Sequence, residues 1–259
     1  MATNQPTDTP SILARLGDVV AFELTVLERT AVGTSIVSLE LGGVPEGFAP
    51  DPGQDVMLAI PVEGGDGTFR RRYTVRSLEV DAGSLVLWID TAADGPGARW
   101  AQHAPIGSTI EGIGPRGKIT LDPFADWHLF IGDASFLPAA YAMAEAIESP
   151  GQALFLFEIA HADDAVTPQL DEGIGVTVCF IERGGRPLDD PSGLLSGLGA
   201  LELPTDEGHV YVGGELKVVA TVRAALVERG IAREAMDTKA YWRLGVANLA
   251  HGEPQKDDA

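Results

Sequence analysis

The chain changes texture once, and that change limits its possible folds more than any other feature. Before Leu121-Asp-Pro-Phe124 it reads as short β-rich runs separated by Gly, Pro and Asp; after Trp127, apolar strand candidates alternate with helical patterns. The early runs cover residues 19–27, 35–41, 55–62, 69–78, 85–90 and 109–119. Six short strands at such spacing predict an antiparallel sandwich or closed barrel. One helix interrupts them at residues 94–103, with Asp94 expected as N-cap and Pro96 in the first turn. The later strands are expected at 129–131, 153–159, 176–181 and 210–212, and the helices at 136–147 and 216–229. In the second helix Val218, Val219, Val222, Ala225 and Leu226 share one stripe, and Gly230 supplies the stop. Strands alternating with helices make a three-layer α/β unit. Pro123 breaks any continuing strand, so the expected domains are 15–122 and 123–250, with 1–14 and 251–259 as tails lacking hydrophobic periodicity.

Charge narrows the partners. Lys and Arg number 18 against 38 Asp and Glu, a net charge of −20, which repels nucleic acid and anionic membrane surfaces. The lone Cys179 excludes an internal disulfide, a Cys-ligated iron–sulfur cluster and a Cys-based zinc site. Redox chemistry would therefore need a bound organic cofactor. His103, His128, His161, His209 and His251 show no metal-ligand spacing, and no Gly-x-Ser-x-Gly is present, so no metal site or hydrolase is expected. The N-terminal residues lack a basic region ahead of an apolar one, and no apolar stretch nears the roughly 18 residues that span a bilayer. The expectation is a soluble cytoplasmic monomer.

Phe69-Arg-Arg-Arg-Tyr-Thr-Val-Arg76 concentrates four arginines in one strand of an acidic chain. Alternation puts Arg71, Tyr73 and Val75 on one face and Arg70, Arg72, Thr74 and Arg76 on the other. A guanidinium two residues from a ring can grip a phosphate while the ring covers a flat heterocycle; charge protecting an edge strand explains the pattern equally well. Gly95-Pro96-Gly97, opening the helix that carries Trp100, is either a plain helix start or an anion site. Gly132-Asp-Ala-Ser135, with Ser135 as expected cap, and Gly213-Gly214-Glu215 each end a strand and begin a helix. Both turns fall where open α/β sheets bind ligands, though pure scaffold writes similar strings.

Taken in order, Arg71-Arg-Tyr-Thr-Val-Arg76, Gly95-Pro-Gly-Ala-Arg-Trp-Ala101, Gly114-Pro-Arg-Gly117, Gly132-Asp133 with Leu137-Pro138, Gly214-Glu215 and Tyr241-Trp-Arg-Leu-Gly245 resemble the siderophore-interacting protein family of ferredoxin-reductase-like, FAD-dependent ferric-siderophore reductases. The resemblance implies an N-terminal antiparallel FAD-binding barrel followed by an α/β domain admitting NADH or NADPH. It implies that Arg71 contacts the FAD pyrophosphate, that Tyr73 flanks the flavin or its ribityl chain and that Thr74 lies near the flavin N5, with Tyr73 and Thr74 as catalytic residues. Val75, Thr91, Gly95, Gly97, Ala98, Trp100 and Ala101 complete the implied FAD site. Gly132, Asp133, Ser135, Gly214 and Glu215 would line the nicotinamide-nucleotide cleft, and Tyr241 and Trp242 would return the last strand toward the flavin. The chain has Thr91-Ala92 where the family has His-Gly, and Ala134-Ser-Phe136 where it has Glu-Thr-Ala, so Phe136 adds bulk to the expected cleft.

The implied reaction reduces Fe(III) in a ferric siderophore to Fe(II). Arg70, Arg72, Arg116, Lys118, Lys239 and Arg243 are the candidates for meeting an anionic chelate, because long-range repulsion from the chain must otherwise be overcome. A neutral or cationic chelate avoids that repulsion. Another flavin reductase of the same architecture, or a descendant that has lost its cofactors, remains a rival reading.

Overall fold

The structure is a computed structural model, and it describes residues 20–62 and 67–246. The tails expected at 1–14 and 251–259 lie outside the described residues, as do the first residues of the expected barrel domain.

The first unit is a seven-stranded antiparallel half-barrel. Its strands are β1 (Val20–Ala31), β2 (Ile36–Gly42), β3 (Asp55–Pro61), β4 (Thr68–Thr74), β5 (Ser77–Glu79), β6 (Ser84–Asp90) and β7 (Thr109–Arg116), in the order β4-β3-β7-β1-β2-β6-β5. Alternating Leu39 and Leu41, Leu58 and Ile60, and Leu85 and Leu87 point inward and are fully buried. The single run expected over 69–78 divides into β4 and β5, which lie at opposite edges of the sheet. Two successive amides cause the division: Val75 N–H donates to Gln54 O at 3.0 Å, and Arg76 N–H to Val86 O at 2.8 Å. The chain thus crosses from one edge to the other within two residues, curling the sheet round its core.

Helix α1 (Pro96–His103) is inserted between β6 and β7. Its N-cap is Gly95, without a side-chain cap, and not the expected Asp94, which instead pairs with Arg99 at 2.5 Å.

The second unit has five parallel strands, β8 (Trp127–Asp133), β9 (Gly151–Ile159), β10 (Ile174–Glu182), β11 (Gly208–Glu215) and β12 (Met236–Trp242), in the order β10-β9-β8-β11-β12. Central β8 is buried throughout, as a strand covered on both faces must be. Helices α2 (Leu137–Ala144), α3 (Ser192–Ala200) and α4 (Leu216–Glu228) complete the layers. The amphipathic stripe of α4 faces the core through Val218, Val219, Val222 and Leu226. α3 was not expected, since its three glycines give little helix propensity. A Cβ on Gly197 would lie 2.7 Å from both Ile181 and Leu156 side chains, so the small residue is what lets α3 approach the sheet.

The two sheets meet along a polar and aromatic seam. Arg76 binds both oxygens of Glu145 at 2.6 and 2.5 Å and lies 4.9 Å from the Trp88 ring, which packs edge-on against Tyr141. Asp55, at the start of β3, takes Arg72 through two 2.8 Å bonds and Lys239 of β12 through a third. Among the described residues no helix is long and apolar enough to cross a membrane.

Candidate functional site

A cavity of about 580 Å³ opens between β4, the end of β6, the start of α1 and residues 241–246. One wall is built by β4 and α1. Arg71 and Tyr73 share a face, as alternation requires, and both approach Gly97: a Cβ there would lie 2.1 Å from the Tyr73 hydroxyl and 3.6 Å from Arg71 Cγ. A side chain at this position would force Tyr73 out of its place. Burial depresses the Arg71 guanidinium below its ordinary pKa and pushes the Tyr73 hydroxyl up. β4 is also an edge strand, so the protective reading of its charges holds beside the ligand-facing one.

Helix α1 presents Gly95, Gly97 and Ala98 to the cavity, and no side chain caps its N-terminus. The first-turn N–H groups keep their capacity for an anion. Two buried polar atoms belong to residues lining the same cavity and make no hydrogen bond: Thr74 Oγ1 and Tyr241 Oη. Such atoms cost stability unless a ligand or water satisfies them.

The α/β side differs: Ser135 and Trp242 reach the cavity there, while Asp133 and Glu215 stand behind them. The 3-10 turn Ala134–Phe136 is capped by Asp133 and not, as expected, by Ser135: Asp133 Oδ1 accepts from Ser135 N–H at 3.0 Å and from its hydroxyl at 2.5 Å. Asp133 Oδ2 accepts from Glu215 N–H at 2.8 Å and Trp242 Nε1–H at 3.1 Å. Burial raises the Asp133 pKa against these stabilising bonds. Glu215 is the N-cap of α4, its Oε2 accepting from Lys217 and Val218 N–H and its Oε1 from Leu244 N–H. Both helix starts are therefore closed by the chain's own carboxylates.

Several expected residues stand behind the cavity. Val75 and Ala101 belong to the barrel core, and half-buried Trp100 stacks on Tyr73 with 6.5 Å between centroids. Thr91 bonds backbone to backbone with Ser35. Gly132 serves strand packing, since a Cβ there would lie 1.9 Å from Gly213 O; Gly214, at φ +137°, makes room for Asp133 Oδ2 at 2.4 Å from its own missing Cβ. Phe136 does not obstruct the cleft, for it is buried against Gly213, Phe157 and Tyr241. Of the basic candidates Arg72 and Arg243 line the cavity; Arg70, Arg116, Lys118 and Lys239 do not. Ser135, Tyr241 and Trp242 do.

Asp90 also lines the cavity and was missed, because an aspartate ending a strand carries no motif. Burial first, and the neighbouring Asp133 second, push its carboxyl up to about 7, while Ala92 N–H donates to it at 2.9 Å. Trp88, Phe69 and Leu188 were missed for the same reason, as apolar residues indistinguishable in sequence from core.

An antiparallel half-barrel joined to a parallel α/β unit, with a groove between them, is the ferredoxin-reductase-like class of fold. Within that class, residues 43–119 match the siderophore-interacting FAD-binding domain and residues 125–245 the siderophore-interacting protein model. The chain belongs to the siderophore-interacting protein family. An uncharacterised protein of Mycobacterium tuberculosis is 32% identical over 188 residues, 68% of this chain and 65% of that relative's length. The ferric vibriobactin reductase ViuB of Vibrio cholerae is 27% identical over 219 residues, 80% of this chain and 78% of that one. The crystal structure of a siderophore utilization protein from T. fusca superimposes with a TM-score of 0.80 at 28% identity, covering 90% of this chain and 96% of that one.

Proposed function

We propose that the protein is a flavoprotein ferric-siderophore reductase that binds FAD in the 580 Å³ cavity and takes its electrons from NADH or NADPH. The observation that carries this reading is the pair of buried, unpartnered hydroxyls, Thr74 Oγ1 and Tyr241 Oη, beside a helix start that no side chain caps. A polar, planar ring system with a pyrophosphate tail satisfies all three. In this reading residues 15–122 hold FAD and 123–250 face the nicotinamide donor.

Each side chain then has a chemical task. Arg71 and the α1 amides hold phosphate oxygens, the first by charge and the second by oriented dipoles. Tyr73, held against Gly97, covers one side of the ligand. Thr74 supplies a hydroxyl to a ring heteroatom, and Tyr241 a second. Ser135 and Trp242 border the side from which a donor approaches. Bound FAD would convert the donor's electron pair into single electrons for Fe(III), and the protein contributes placement and shielding. The similarity to the ferric vibriobactin reductase of Vibrio cholerae supports the ferric-chelate end of the reaction.

An absorbance spectrum of the purified protein, followed by FAD titration of the stripped protein and anaerobic NAD(P)H addition, tests this. A flavin spectrum that bleaches with NAD(P)H is expected, with Arg71→Ala weakening FAD binding about 100-fold. A correctly folded protein that takes up no FAD rules the reading out.

A further inference from the structure

The six basic side chains that the sequence offers to an anionic substrate are separated by the fold. Lys239 is only 8% exposed, with its ammonium 2.8 Å from Asp55, which also holds Arg72. Arg116 turns its guanidinium to Met57 Sδ at 3.8 Å, and Arg70 and Lys118 do not line the cavity. Arg243 does, and so does Arg72, which shares the single Asp55 carboxylate with Lys239. The other arginines along the cavity are Arg71 and Arg99, and Arg99 is paired with Asp94 at 2.5 Å. With Arg71 and Arg243 counted in full and Asp55 offsetting one of Arg72 and Lys239, the doubly negative pyrophosphate of FAD leaves a single positive charge. What a substrate then meets is that one charge, held beside Asp55, in the field of a chain with net charge −20.

We propose that the ferric chelate this protein reduces is neutral or cationic, a tris-hydroxamate with a pendant ammonium for instance, and not a polyanion. The inference rests on the ferric-chelate reading above. A net negative surface concentrates cations and depletes anions over a Debye length, about 10 Å at 0.1 M salt, and only a local basic patch reverses that. In the overall reaction NAD(P)H gives up an electron pair, becoming NAD(P)⁺ and a proton, while two Fe(III) centres each gain one electron.

The test uses FAD-loaded protein, reduced anaerobically, and two ferric tris-hydroxamates with the same donor set. One ends in an ammonium; the other is N-succinylated and ends in a carboxylate, so charge differs without changing the iron's ligands. At low ionic strength the cationic chelate should restore the oxidised flavin spectrum at least about threefold faster; salt should slow it, speed the anion and bring the rates together. Equilibrium binding of the redox-inert Ga(III) forms should show the same order. Leu244→Lys, at a cavity-lining side chain 44% exposed, should narrow the ratio. A faster anion at low salt, or parallel salt dependences, overturns the proposal while leaving the reductase reading intact. Reoxidation by neither chelate, in a protein that does hold FAD, ends both.

Discussion

The two ends of the cavity start from the same local grammar, a strand leading through glycine into a helix, and finish as opposites. At the barrel end α1 begins uncapped, Gly97 clears space for Tyr73, and the nearby Thr74 hydroxyl is buried without a partner. At the α/β end Asp133 and Glu215 satisfy the amides of the helix starts, and Gly132 and Gly214 clear space for the protein itself. A helix N-terminus is an anion site only where its own chain has not supplied the anion. The glycines make the same point: each leaves room for a close neighbour, and which neighbour it is decides whether the glycine concerns a ligand.

The contrast can be broken experimentally. Asp90 lines the same cavity, and burial, with the Asp133 charge second, raises its pKa. Because the folded state favours its protonated form, its contribution to stability is full below the unfolded pKa near 4 and is lost as pH rises through about 7. Asp90→Asn should flatten the fall in unfolding free energy between those limits by about 2 kcal/mol, discounted for partial exposure. Identical denaturation slopes in wild type and variant would mean that Asp90 is solvated and takes no part.

Gly97→Ala probes the barrel end. Its Cβ meets the Tyr73 hydroxyl at 2.1 Å, whereas the next ring atom is 3.4 Å away. FAD affinity should drop about tenfold and return to within about threefold in the Gly97→Ala, Tyr73→Phe double variant, measured by fluorescence titration. Failure of the second change to rescue the first would place the clash elsewhere. Glu215→Gln probes the α/β end and should have the smallest effect. It weakens the cap of α4, costing about 1 kcal/mol in chemical denaturation, with FAD affinity unchanged within about twofold. A large loss of FAD affinity would show that the two ends are not independent.

Much of the fold was legible because burial imposes periodicity. The stripe of α4 and the alternation in β2 and β6 are written in residue order. α3 was not, since it depends on the sheet to hold a glycine-rich segment helical, and β12 was expected only through the family resemblance, since Met236–Trp242 mixes polar and apolar residues without a clear period. The site followed the same rule. Arg71, Tyr73 and Gly97 act within one strand and the helix beside it, so local spacing reveals them. Asp55, which binds Arg72 seventeen positions along the chain and Lys239 at a separation of 184, carries no local signal.

By itself the sequence determined the two textures, the acidic surface and the strand face carrying Arg71 and Tyr73, because each follows from composition or from the period of a backbone element. The tertiary structure alone decided which polar groups stayed available. Whether an amide, a hydroxyl or an ammonium is satisfied depends on partners brought together from distant strands, and residue order does not contain those distances.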